Sequence, residues 1–184
     1  MKKYSGALLS LVCIVYTVWY MHFGKPWTNA GALSTIGLRH RALFTVWGLL
    51  TLISLTTQIM TGYIRIGRLK TGAALMGTAA VGMALTLIFR FDYDIKPDYY
   101  LHCAGSLLFS AVTGVSVFLL FALKKEKTLA GLTALILTGD LICLLIFKET
   151  GLIEALPIIA GLIMLTYSNL RRDGIEASRK AEIA

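Results

Sequence analysis

Three histidines, His22, His40 and His102, carry the imidazole chemistry of this chain, and none pairs with another on a single helical turn. Imidazole is the commonest nitrogen ligand of zinc, and three protein ligands plus an open position make a catalytic site. A zinc held by these histidines with Asp92, Asp94 or Glu154 is therefore one chemistry to test. No HExxH-type motif accompanies them, so the alternative is hydrogen bonding at a membrane interface. A heme fits less well, because its histidines usually sit deeper and in facing pairs. Asp140 lies inside an apolar run, seven residues before Phe147, or roughly 10 Å of helical rise from the end of that run. An ionisable group at that depth is costly and marks a functional site by default. It would serve a small proton-coupled carrier, or staple helices through His102, Arg90, Thr138 or Ser110.

The richest polar stretch is Arg90-Phe-Asp-Tyr-Asp-Ile-Lys-Pro-Asp-Tyr-Tyr-Leu-His102. Paired carboxylates there can bind a cation or exchange protons, tyrosines anchor at an interface, and Asp92 beside His102 would hold the imidazole ready as base or ligand. Arg39, His40 and Arg41 end a long connection and suit either a lipid phosphate, which the arginine fork matches, or ion pairs with those carboxylates. Cys13, Cys103 and Cys143 are far apart and imply neither a disulfide framework nor a thiolate metal site.

The elements that position these residues follow from composition. A chain with 57% hydrophobic and 15% charged residues and a mean hydropathy of +0.72 exceeds what a soluble surface hides. Six apolar runs near bilayer length occur at about 4–23, 42–64, 71–90, 100–123, 128–147 and 153–170. The expectation is an all-α membrane protein, a bundle of six transmembrane helices in one domain over 1–170, with a polar tail over 171–184. Lys2 and Lys3 precede the first run and no small-residue cleavage site follows it, so it reads as an uncleaved helix. The segment Leu33 to Leu38 reads as a short interfacial or re-entrant piece, with Trp27 at headgroup level.

Twelve of the 18 basic residues fall on one set of alternate loops: Lys2, Lys3, Arg65, Arg68, Lys70, Lys124, Lys125, Lys127, Arg171, Arg172, Arg179 and Lys180. That side should be cytoplasmic and should hold both termini. The net charge of +8 is then topological and lipid-facing, and nucleic acid is not a partner. Small residues at four-residue spacing predict where helices approach: Ser106, Ser110 and Gly114 on the fourth span, Ala130, Ala134 and Thr138 on the fifth, which would make these two central, and Ala73/Gly77 with Ala80/Ala84 on the third.

The order of motifs resembles the bacterial DUF998 family. Leu33-Ser-Thr-Ile-Gly37 and Ala42-Leu-Phe-Thr-Val-Trp-Gly48 resemble its "S-x-x-G … F-x-x-G" start, Phe91-Asp92 with Leu101-His102-x-x-Gly105 its "F-P-x-D … L-H-x-x-G" centre, and Gly151-Leu-Ile-Glu154 its "G-x-x-E-R" entry to the last helix. Residues 30–170 are covered in the right order. The chain lacks the family's proline between Arg90 and Asp92, and Ala155 follows Glu154 where arginine is usual. The family is similar to the six-span Frag1/DRAM/Sfk1 group, linked to lipid remodelling, lipid asymmetry and autophagy. The resemblance implies a six-span fold and a role in the bacterial cytoplasmic (inner) membrane.

Three functions compete. A lipid-binding or regulatory module would gather Arg39, His40, Arg90, Asp92, His102, Asp140 and Glu154 in a pocket open to the extracytoplasmic side. A metal-assisted membrane hydrolase acting on lipid would use His102 and Asp92. A proton-coupled transporter would use Asp140. Membrane lipids are the expected partners, with a membrane-protein partner or a second copy of the chain as further ones.

Overall fold

The structure, a computed structural model, describes residues 4–183, with side chains only as far as Arg171. Lys2, Lys3 and the side chains of Arg172, Arg179 and Lys180, on which part of the basic-loop count rests, lie outside the described residues, as do the side chains of the tail beyond Arg171.

Seven helices follow one another among the described residues: α1 (Ser5–Met21), α2 (Leu33–Arg39), α3 (Arg41–Arg65), α4 (Leu69–Ile88), α5 (Lys96–Leu123), α6 (Lys127–Phe147) and α7 (Gly151–Ile183). Five of them, α3 to α7, are long and apolar enough to cross a membrane, the arrangement of a multi-pass membrane protein. A helix satisfies its backbone N–H and C=O groups within itself except at its ends, which is what hydrocarbon requires. The first apolar run folds as α1, 17 residues long and apolar. The short piece expected at Leu33 to Leu38 is α2, and it is packed inward, with Leu33, Ser34, Ile36 and Gly37 buried.

The closest helix pair is α4 with α5, and two glycines make it. A Cβ on Gly82 would come within 2.6 Å of the Phe109 backbone nitrogen, and one on Gly105 within 2.7 Å of the Gly82 carbonyl oxygen. The backbones touch there, so only hydrogen fits. The packed face of α4 is Gly72, Met76, Ala79, Gly82, Met83 and Thr86. This corrects the expected stripe: Ala73, Gly77 and Ala84 are exposed and Ala80 half-buried on the other side. A second correction concerns α6. Expected to be central, it buries only Ala130 and Thr133, while Ala134 and Thr138 face outward.

At one end of the bundle a polar network ties α1, α3 and α7. Gln58 Nε2 donates to Ser10 Oγ (2.9 Å) and Thr166 Oγ1 (2.8 Å), and Asn169 Nδ2 donates to Gln58 Oε1 (2.8 Å). Arg65 and the buried Lys124 join it, Arg65 donating to the Asn169 carbonyl at 2.8 Å and Lys124 Nζ to Ser168 Oγ at 2.9 Å. The connections bearing Arg68, Lys70, Lys125 and Lys127 lie at the same end.

At the opposite end the long first connection folds over the α6–α7 connection. Leu152 N–H donates to the Pro26 carbonyl (3.0 Å), and the Asn29 amide donates to the carbonyls of Phe147 (3.3 Å) and Glu149 (2.9 Å). Asn29 thereby satisfies carbonyls that the end of α6 leaves free.

Candidate functional site

Five helix ends, the last turn of α4 and the first turns of α2, α3, α5 and α7, meet at the end of the bundle away from the basic connections. The last carbonyls of α4 have no helical partner, and Arg41 at the start of α3 supplies one, its guanidinium donating to Leu87, Ile88 and Phe89. The first N–H groups of α2 are likewise free, and Glu154 in the first turn of α7 accepts from Leu33 N–H and from Ser34 N–H (3.4 Å). His102, nearly two turns into α5, stands between them. It is 1% exposed and lies between the rings of Phe44 (6.0 Å) and Phe91 (5.2 Å).

These groups form one hydrogen-bonded line. His102 Nδ1 is 3.2 Å from the Phe89 carbonyl, His102 Nε2 is 3.1 Å from Ser34 Oγ, and Ser34 Oγ is 3.1 Å from Glu154 Oε1. A proton count follows from the donor inventory. The Phe89 carbonyl only accepts, so Nδ1 carries a hydrogen. The two remaining links each need one more. Three protons on His102, Ser34 and Glu154 together describe either imidazolium with carboxylate or neutral imidazole with carboxylic acid. Both are net neutral, which lets the line sit in a buried place without an unpaired charge.

A serine hydroxyl beside an oriented imidazole also raises acyl transfer. Here Glu154 holds the other side of the hydroxyl and takes up the N–H groups of Leu33 and Ser34. Those two donors are then not available to an oxyanion, whose stabilisation is the main contribution in that chemistry. The line works as a clasp joining α2, α5 and α7.

The clasp forms one end of a cavity of about 490 Å³ between α5, α6 and α7. Its walls are mainly aliphatic, with Leu107, Ile136, Leu137, Ile153, Ile158 and Met164 among them. Pro157, inside α7, lines it too and has no N–H for the Ile153 carbonyl one turn earlier. The polar side chains inside are few: Ser106, Ser110 and Thr113 from α5, Thr133 and Asp140 from α6, and Glu149 beside the clasp. Ser106 and Ser110, expected as packing residues, line this space. Tyr93 lies in the connection outside the helices. Its phenol is pushed above the ordinary range by desolvation and then by the charge of Glu149.

Of the residues singled out from sequence, His102, Asp140 and Glu154 line the cavity, whereas Arg39, His40, Arg90 and Asp92 do not. Arg39 and Arg90 are exposed. His40 packs on the Phe23 ring at 4.9 Å, and His22 Nδ1 is 2.9 Å from the Val18 carbonyl at the end of α1. The expected Asp92–His102 pair does not form: Asp92 Oδ1 accepts from Asp94 N–H (3.0 Å), while both His102 nitrogens are used by Phe89 and Ser34. No hydrogen bond joins Asp140 to His102, Arg90, Thr138 or Ser110. Among the described residues no three His, Cys, Asp or Glu side chains converge as metal ligands. Ser34, the centre of the clasp, was visible in sequence only as a letter of a motif.

No family model, curated protein or solved structure matches this chain.

Proposed function

We propose that this chain is a six-span membrane module that binds one lipid-like amphiphile in the cavity between α5, α6 and α7. The observation that carries the reading is the cavity itself. Its volume of about 490 Å³ falls within the roughly 300–1,000 Å³ of small-molecule sites, which are mostly apolar with a few placed polar groups. The space suits a single aliphatic chain with a small head, and the loosely held α6 gives such a ligand a side entrance from the bilayer. In this reading α1 is the sixth span. The end bearing Arg65, Arg68, Lys70, Lys124, Lys125 and Lys127 faces the cytoplasm by the excess of basic residues, so the clasp and the cavity mouth lie on the extracytoplasmic side. The DUF998 resemblance agrees with a lipid-related role in a bacterial inner membrane.

Gly161 offers the test. It lines the cavity, and a Cβ there would meet nothing within 4 Å. Gly161→Phe should therefore fill the space without disturbing the helices. Native mass spectrometry after extraction in mild non-ionic detergent should find one retained amphiphile on the wild type and none on Gly161→Phe, with both variants equally folded. An unliganded wild type, or equal retention by the two, would overturn the reading.

A further inference from the structure

The inference rests on the amphiphile-binding reading and concerns the head group. Thr113 is 7% exposed and lines the cavity, and its hydroxyl has no hydrogen-bond partner among the described residues. A buried hydroxyl left unpaired is costly enough that it calls for an occupant able to bond it. Gly114 packs directly on Leu137, a Cβ there coming within 2.6 Å of Leu137 Cδ2. Asp140 lies one helical turn beyond Leu137, so Thr113 and Asp140 belong to the same stretch of the α5–α6 seam.

Outside the net-neutral clasp, the charged side chains in the walls have one sign. Asp140, Glu149 and Glu154 line the cavity, and no lysine or arginine does. Glu154 is taken up by Leu33 and Ser34, and both nitrogens of His102 are used in the clasp. Among the described residues no hydrogen bond engages the Asp140 carboxyl. An amphiphile with a carboxylate or phosphate head would meet two acids and no cation, which low-dielectric surroundings make strongly unfavourable. A neutral head would leave the Asp140 carboxyl without a counter-charge. A primary amine avoids both penalties. With Asp140 it shares one proton, and the pair is net neutral whether written as ammonium with carboxylate or amine with carboxylic acid, while its remaining N–H reaches a hydroxyl.

We infer that the cavity selects a single-chain amphiphile with a cationic amine head, held by Asp140 with Thr113 as the second hydrogen-bonding group. The test is a competition on the full chain in lipid nanodiscs near neutral pH. Straight-chain primary amine, alcohol and carboxylate of one length are supplied at equal concentration and counted by native mass spectrometry. The wild type should retain the amine on the order of tenfold over either rival, as expected of a charge-assisted hydrogen bond. Asp140→Asn should bring the amine-to-alcohol ratio close to one. If the wild type retains alcohol or carboxylate as well as the amine, the head-group assignment falls while amphiphile binding stands. If none of the three is retained, the binding reading falls and this inference with it. If Asp140→Asn keeps the full amine preference, Asp140 is not the counter-charge and the assignment is overturned.

Discussion

Ser34 Oγ stands between an imidazole nitrogen and a carboxylate oxygen, each about 3.1 Å away, and it alone connects them. Removing that one oxygen leaves the Nε2 of the buried His102 and the Oε1 of Glu154 without this partner, and a buried group so orphaned costs about 1–3 kcal/mol. Ser34→Ala should therefore lower the unfolding temperature in detergent clearly. In a His102→Ala background the same change should cost less, because one of the two orphaned groups is already gone. Groups that share a network are non-additive in this way, and strictly additive losses would show that the line is not a unit. Sequence picked out His102 and Glu154 but gave His102 the wrong partner. Asp92 is near it in the chain, whereas Ser34 lies 68 residues from His102 and 120 from Glu154. Nothing local to a serine between Leu33 and Thr35 announces contacts at that separation. Asp140 was legible for the opposite reason, since a carboxyl inside an apolar run stands out wherever its neighbours lie.

At the scale of elements, the α4–α5 contact decides how the bundle is built. Gly82 and Gly105 are replaceable by nothing larger, since an added methyl meets backbone that cannot rotate away. Gly82→Ala and Gly105→Ala should each destabilise by about 1–3 kcal/mol or more, the usual range for overpacking. Gly77→Ala, on the open face with nothing within 4 Å, should be neutral or stabilising by up to about 1 kcal/mol through helix propensity. Thermal unfolding of the three variants separates the faces, and equal behaviour would contradict the packing described. The small-residue rule found helices with close approaches but chose the wrong face of α4. Two stripes of small residues run along that helix, and spacing alone does not say which one meets protein. The buried stripe is distinguished by Met76 and Met83, long side chains that fill the core beside the glycines. For α6 the same rule failed because Ala134 and Thr138 satisfy the spacing while facing outward.

For the whole molecule, hydropathy and length were enough to anticipate helices α3 to α6 and the start of α7 within a few residues, because a bilayer imposes both, whereas α7 runs on to Ile183 past the expected end at 170. Among the described residues, the gathering of Arg65, Arg68, Lys70, Lys124, Lys125 and Lys127 at one end and of His102, Glu154 and Asp140 in the other half was legible too, from the alternation of spans. The cavity was not. It exists because α6 leans on its neighbours through few residues and leaves the seam between α5 and α7 open, a consequence of packing that no run of letters records. Asp140, Thr113 and the clasp acquire a common meaning only around that space. The most direct measurement is therefore an experimental density map of the full chain in lipid nanodiscs, inspected between α5, α6 and α7. An elongated density filling the cavity, with its head at Asp140 and Thr113, is the expected result. A cavity holding only ordered water, or one closed by collapse of α6 onto α7, would contradict it.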